Sequence, residues 1–416
     1  MSRRFHFILH IGTEKTGTTT LQGYLHSAQS ELNGQGVAYY ASPGRVESRA
    51  LAASAVGDQA PDDFLKQLSV QSPEQRHVFR EQTKRHFHAA MTALDERIHT
   101  VVISSEHFHS RLRHPWQVKW LHDLITPWAN DVQVVVYLRP QTDVLSSYYS
   151  TALKNGEVRS LEGLGGRICH TANHFYNYQM LLTLWGDIFG TENLLPRLFT
   201  PEDLIQQDIV ADFFKVIGMP APRNWNLSVP RQNESLNPLG QGLLRGINQA
   251  WRQDDGFLSR GEYKCLARRI KQVFVGSGER LPFDKEVELQ SAFDASNQWV
   301  CEQWFENREV LFKPATPRKK APLSISNEHL ALVEAVIRGL SRAEVKGVPK
   351  LNRCADYLRD SAVAIEQNDI DAARRRMALA YRIRPQGPFI ARKLEEYESQ
   401  TGLLNKVRKW LPLGKT

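Results

Sequence analysis

The stretch FHFILHIGTEKTGTTTLQGYL, Phe5 to Leu25, constrains this chain more than any other. Phe7 to Ile11 is a short apolar run of the kind that fills an inner parallel strand. Gly12 to Gly17 follows as a glycine-bearing loop. A helix is predicted from near Thr18, with Leu21, Leu25, Ala28 and Leu32 spaced along one face. Strand, glycine loop and helix in that order are the context of a phosphate-binding loop. Successive backbone N–H groups and a helix N-terminus make a nest for a tetrahedral anion. Thr18, Thr19 and Thr20 add hydroxyls, and Lys15 adds a charge.

The lysine position is unusual. The nucleoside-triphosphate loop reads G-x-x-x-x-G-K-[ST], with Lys on the β/γ-phosphates and Ser/Thr on Mg²⁺. Gly12 and Gly17 keep the glycine spacing, but Thr18 stands where that lysine belongs. The predicted strands at 101–104 and 132–138 end in no Walker-B aspartate, and Asp143 falls on the following helix. A transfer without Mg²⁺ is favoured, and no metal is expected.

Beyond the loop, 37–40, 101–104, 132–138 and 193–199 read as strands separated by helical segments. Residues 43–70 read as loop and irregular helix. One helix is predicted over 73–98, another over 118–128, and others over 141–153, 174–189 and 203–218. The pattern predicts an α/β fold: a phosphate-loop, mostly parallel central sheet flanked by helices, with a helical C-terminal extension. In such sheets ligands bind beyond the carboxyl ends of the strands. Gly12, Glu106 and Arg139 each follow one such end, so they are expected to converge.

The proline- and lysine-bearing stretch at 314–324 reads as a domain edge. It divides a domain over 1–315 from a helical region over 316–416, with a tetratricopeptide-like hairpin near 358–398. The net charge of +8 and pI near 9.2 favour an anionic ligand, acceptor or surface. The four cysteines are far apart and form no C-x-x-C pair, which fits a reducing compartment. The N-terminal apolar run is too short for a signal peptide and reads as a buried strand. A cytoplasmic location is expected, with peripheral contact at an inner membrane face left open.

HIGTEKTGTTTLQ, together with YLRPQTDVLSSYY at 137–149, resembles the 3′-phosphoadenosine-5′-phosphosulfate-dependent sulfotransferases, and the bacterial carbohydrate branch most. Segments 186–220 and 297–305 extend the resemblance to about residues 5–312. It implies that Gly12, Thr13, Lys15, Thr16, Gly17, Thr18 and Thr19 hold the 5′-phosphosulfate side. Arg139 and Ser147, eight positions on, match the arginine and serine that hold the 3′-phosphate. Lys15 would neutralise the bridging oxygen as the sulfuryl group leaves, yielding 3′,5′-adenosine bisphosphate. An arginine is a rigid fork suited to a phosphate, which supports that role for Arg139.

Transfer to a hydroxyl also needs a base. Glu106, at the exit of the 101–104 strand, ranks first, then His107, then His109. The two histidines, two positions apart, would share one side of an extended chain. A carboxylate that caps the next helix or orients Lys15 is the structural alternative for Glu106.

The acceptor is implied by the resemblance to be a glycan or a lipid-linked glycan precursor, with no nucleic acid involved. Tyr148, Tyr149, His170, Asn173, His174 and Tyr178 are candidates to line its site, and Asn233 and Ser235 to form a lid. The glycine loop alone also fits an ATP/Mg²⁺ kinase of a small metabolite or sugar. A third reading is an inactive interaction protein. Its basic C-terminal tail, with Val407, Trp410 and Leu411 beside Lys406, Arg408 and Lys409, would meet an acidic partner or anionic lipid. The oligomeric state is open.

Overall fold

The computed structural model describes residues 3–58, 60–220, 235–253, 259–318, 322–342 and 351–410, with backbone only for 253, 339–342 and 402–410. Five strands form one sheet: β1 (Phe5–His10), β2 (Val37–Tyr40), β3 (Thr100–Ser104), β4 (Ala129–Leu138) and β5 (Leu194–Leu198). Their order is β2-β3-β1-β4-β5 and every pairing is parallel. This is the parallel α/β sheet that the sequence predicts.

The strands are apolar on both faces because helices cover both. Side chains alternate along a strand, so each strand feeds two cores. Phe7, Leu9, Val101, Ile103, Val134 and Val136 belong to one cluster, with Phe87, Leu121 and Trp185 from the helices. Ile8, Val102, Val135 and Tyr137 enter the other, with Leu21, Leu25, Phe213 and Phe214. Truncating one such leucine to alanine typically costs ~2–5 kcal/mol.

Local chemistry sets the helix ends. Ser72 and Gln75 form a reciprocal capping box and Pro73 takes the first turn, so the long helix begins at Pro73. It stops at Thr92, six residues before the predicted end. The helix predicted over 203–218 is shorter still, Ile209–Val216. Gln206 and Gln207 turn to positive φ, and the Asp208 carboxylate caps Val210 and Ala211 N–H at 2.9 Å.

The chain groups into two compact units. The first holds Met1–Val144, Gly166–Asn233 and Asp284–Ala315, and with them the whole sheet. The second holds Leu145–Gly165, Glu234–Phe283 and Thr316–Thr416. Two earlier segments, Leu145–Gly165 and Glu234–Phe283, thus group with Thr316–Thr416. Within the second unit, Asn352–Ile365 and Ile370–Ile383 form a helical hairpin, with Asp369 capping Ala372 N–H at 2.8 Å. A third helix, Pro388–Trp410, packs against it. The tail side chains from Lys406 to Leu411, and Asn233, lie outside the described residues. Among the described residues no helix is long and apolar enough to cross a membrane.

Candidate functional site

The sheet order puts β1 in the middle, between β3 and β4, so three strand exits open side by side. Main-chain pairing continues past the strand end. Ile11 N–H donates to Val135, Thr13 N–H to Tyr137, and Tyr137 N–H to Gly12, at 2.7–3.0 Å. The chain then turns over sharply. Gly12, Lys15 and Gly17 take φ of 106°, 70° and 77°. The first helix, Thr18–Ser27, starts with Gly17 as a left-handed N-cap that offers no side-chain acceptor. Its first N–H groups are therefore available to an anion.

Two of the threonines assigned to the cofactor face inward. Thr13 Oγ1 donates to Tyr137 O at 3.0 Å, and Thr16 Oγ1 donates to Thr13 O at 2.6 Å. Both are buried, so their hydroxyls hold the loop's shape, and the Thr13 backbone N–H is committed to Tyr137 O as well. Thr18 is also buried, whereas Thr19 is half-buried.

The three strand exits do converge. A Cβ placed on Gly12 would stand 3.2 Å from Glu106 Cα, so only glycine permits that approach. Arg139 Nη1 donates to Lys15 O at 2.9 Å. Burial lowers the Lys15 pKa, Glu14 and Glu106 raise it, and Arg139 lowers it again. Lys15 thus lies in the fields of all three neighbours.

Glu106 does not cap the following helix, His107–Arg111. Its Oε2 instead accepts from Gln22 Nε2 at 2.8 Å. Gln22 is buried on the first helix and also reaches Ser104 Oγ at 3.3 Å, which sits 2.8 Å from His10 Nδ1. The carboxylate is therefore fixed by a buried polar chain reaching back to β1.

The histidines do not share a side. Glu106 already has helical backbone angles and His107 begins a helix, where residues two apart point in nearly opposite directions. His109 is fully buried, with its pKa pushed down to about 3 by burial and by His174. Its Nδ1 accepts from Glu14 N–H at 3.4 Å, and its Nε2 meets Phe175 O at 3.1 Å. With both nitrogens engaged it supports the loop and is no longer a base candidate. His107 is half-buried, and burial lowers it to about 4 despite Glu106.

Sequence reasoning missed Glu47. It follows β2, which neighbours β3, and its Oε2 accepts from Ser105 Oγ at 2.7 Å. Burial, with Glu106 adding repulsion, pushes it up to about 7. Arg49 and Arg45 oppose that rise. The loop over 43–48 gives no periodic signal, so only the β2 exit could have marked it.

The downstream candidates mostly serve the fold. Tyr178 is buried, and its hydroxyl donates to Arg139 O at 2.5 Å. Asn173 closes a turn through Ile168 O and Phe175 N–H. His174 is buried and stacks on His109, with ring centroids 6.1 Å apart. Tyr149 is buried in the second unit and donates to Arg159 O at 3.0 Å. Tyr148 and Ser147 lie on the Gln141–Lys154 helix, in its second-unit part, and Ser235 belongs to that unit as well. His170 is exposed.

Arg139 is half-buried, 5.7 Å from the Phe199 ring. Asp143 Oδ2 stands 3.9 Å from its Nε, at the limit of an ion pair. Among the described residues no group of three or more His, Cys, Asp or Glu gathers to hold a metal.

No protein-family model matches the chain, and no curated protein matches it. Two solved structures are similar in outline. One is a sulfotransferase from Alicyclobacillus acidocaldarius, 17% identical, with a TM-score of 0.34, covering 64% of this chain and 97% of its own. The other is the sulfotransferase domain of the Synechococcus PCC 7002 olefin synthase, 10% identical, with a TM-score of 0.31, covering 70% and 96%. At such scores the likeness decides nothing about this chain's chemistry, which rests on its own residues.

Proposed function

We propose that this chain transfers a sulfuryl group from 3′-phosphoadenosine-5′-phosphosulfate to a hydroxyl of a glycan or glycan precursor. The observation that carries the reading is the meeting of Lys15, Glu106 and Arg139 over an anion nest. The glycines give the nest its path, and the helix N-terminus leaves it uncapped. The nest supplies donors for the 5′ side, and the Arg139 fork fits the 3′-phosphate. The donor brings an activated S–O bond, broken as the acceptor oxygen bonds to sulfur. Lys15 compensates charge on the departing phosphate oxygen. The acceptor proton goes to a carboxylate.

Glu106 is the proposed base, because it stands nearest the loop and Gln22 fixes its orientation. Glu47 is its partner. Burial, with a smaller contribution from Glu106, raises the Glu47 pKa to about 7, so below that pH Glu47 is the less ready of the two to take a proton. An ATP/Mg²⁺ kinase is less favoured: Thr18 replaces the phosphate lysine, and β3 and β4 run out into Ser105 and Arg139 instead of an aspartate.

The test is calorimetry against 3′,5′-adenosine bisphosphate, followed by its release on turnover with a panel of glycans. Micromolar binding that drops when the 3′-phosphate is removed is the expected result. Tight Mg²⁺-dependent ATP binding with no preference for a 3′-phosphate would overturn it.

A further inference from the structure

The Arg260–Val273 helix of the second unit has a two-sided composition. Ala267 and Ile270 are buried, and Tyr263, Leu266 and Val273 are half-buried. These face the unit's core. Arg260, Lys264 and Arg268 are exposed at i, i+4 and i+8, so they form one row with charges roughly 6 Å apart. Arg269 is exposed beside them, and Lys271 is half-buried one turn on. The helix carries one acid, Glu262. Its carboxylate accepts from Ser259 N–H at 2.8 Å in the capping box and is turned to the helix start. Among the described residues no carboxylate pairs with any of the five cations. Like charges at i, i+4 weaken a helix, so among the described residues the row is a local cost that no carboxylate offsets.

We propose that this face docks a linear acidic polysaccharide. A row spread along a helix matches a chain of repeated anionic groups, whereas a single phosphate or sulfate needs donors that converge. Other polyanions fit less well. Base stacking needs free aromatic faces, but Tyr263 and Trp251 pack on each other at 4.8 Å. An interfacial helix needs an outward apolar face, but the exposed positions here are Arg260, Gly261, Glu262, Lys264, Cys265, Arg268, Arg269 and Gln272. The inference is independent of the reaction proposed for the loop, and its test does not use turnover.

The test compares three full-length proteins. One carries Arg260→Gln, Lys264→Gln and Arg268→Gln. Its charge-matched control carries Lys66→Gln, Arg85→Gln and Lys215→Gln, all exposed on the first unit. The third is the parent. Probes are size-fractionated dextran sulfate, an oligo-dT strand of similar charge, and phosphatidylcholine vesicles containing phosphatidylserine. The stripe variant should bind dextran sulfate at least tenfold more weakly than the parent, with a salt dependence less steep by ~2–3 ion equivalents. The control should stay within about threefold. Equal losses in both variants would mean that net charge alone is responsible and would overturn the proposal. So would a stripe effect seen only with oligo-dT or only with vesicles. A single reversal, Arg268→Glu, repeats the test with less change to the helix and should itself weaken dextran sulfate binding.

Discussion

Arg139 Nη1 donates to the carbonyl oxygen of Lys15 at 2.9 Å, so the arginine expected to meet the 3′-phosphate also braces the loop expected to hold the 5′ side. The two ends of the proposed nucleotide site share one guanidinium. Arg139→Ala should therefore weaken 3′,5′-adenosine bisphosphate by ~1.5–3 kcal/mol, the loss of a charge-assisted contact. Adenosine 5′-monophosphate should weaken too, but by ~0.5–1.5 kcal/mol, since only the brace is lost. Titration of both nucleotides with parent and variant checks this. Equal losses for the two would reduce Arg139 to a brace.

Lys15 separates backbone from charge. A lysine at φ 70° sits where non-glycine residues are strained. Lys15→Gly should relieve that strain while removing the ammonium. Urea unfolding should show stability unchanged or raised by up to ~1 kcal/mol. Turnover should fall ~10²–10³-fold, as when a preorganised charge at a leaving group is lost. A variant that lost stability and activity in parallel would show that the side chain holds the loop instead.

The strand–loop–helix start was legible because glycine spacing and apolar runs are local signals. Gly12, Glu106 and Arg139 could be placed together because each follows a strand, and parallel strands end on one side. Other features depended on side-chain partners that spacing does not carry. Thr13 and Thr16 look like ligand hydroxyls in a string, yet both donate to carbonyls inside the loop. His109 looks like a base, but Glu14 N–H and Phe175 O occupy it. Glu47 lies in a stretch without periodicity, and its proximity to Glu106 comes from β2 lying beside β3. Gln22 reads as one helix residue among many until its amide meets Glu106.

Glu47 makes a prediction about stability. Its folded pKa is raised from 4.5 to about 7 by burial and by Glu106. The folded state therefore favours the protonated form. The stability that this contributes is present below pH 4.5 and is lost as pH rises through about 7. Glu47→Gln mimics the protonated form and can still accept from Ser105. It should match the parent near pH 4.5 and exceed it at pH 8 by ~1–3 kcal/mol in urea unfolding. A gap that does not change with pH would show that Glu47 pays no burial penalty.

The buried imidazoles act in the opposite direction. His10 and His174 are held near 4 and His109 near 3, each chiefly by burial, against an ordinary 6.5. A depressed pKa gives stability above 6.5 that is lost as pH falls through the folded values. Through these groups Tm should fall as pH drops from 6.5 to 4. His109→Gln keeps an acceptor for Glu14 N–H and a donor for Phe175 O but cannot ionise. It should make that acid limb shallower, and an unchanged limb would remove His109 from it.

The last prediction separates the two carboxylates. Glu106→Gln keeps the shape and the contact to Gln22 but accepts a proton poorly. Turnover should fall ~10²–10⁴-fold, the usual share of a general base. Affinity for 3′,5′-adenosine bisphosphate should stay within about threefold, or ~0.7 kcal/mol. Glu47→Gln removes the neighbouring carboxylate, whose own pKa is raised to about 7. Its turnover should drop less than that of Glu106→Gln. If Glu47→Gln abolishes turnover while Glu106→Gln retains it, the roles exchange and the carboxylate after β2 is the base. His107→Asn is the control. Its imidazole is depressed to about 4 by burial, so it should leave the pH profile in place.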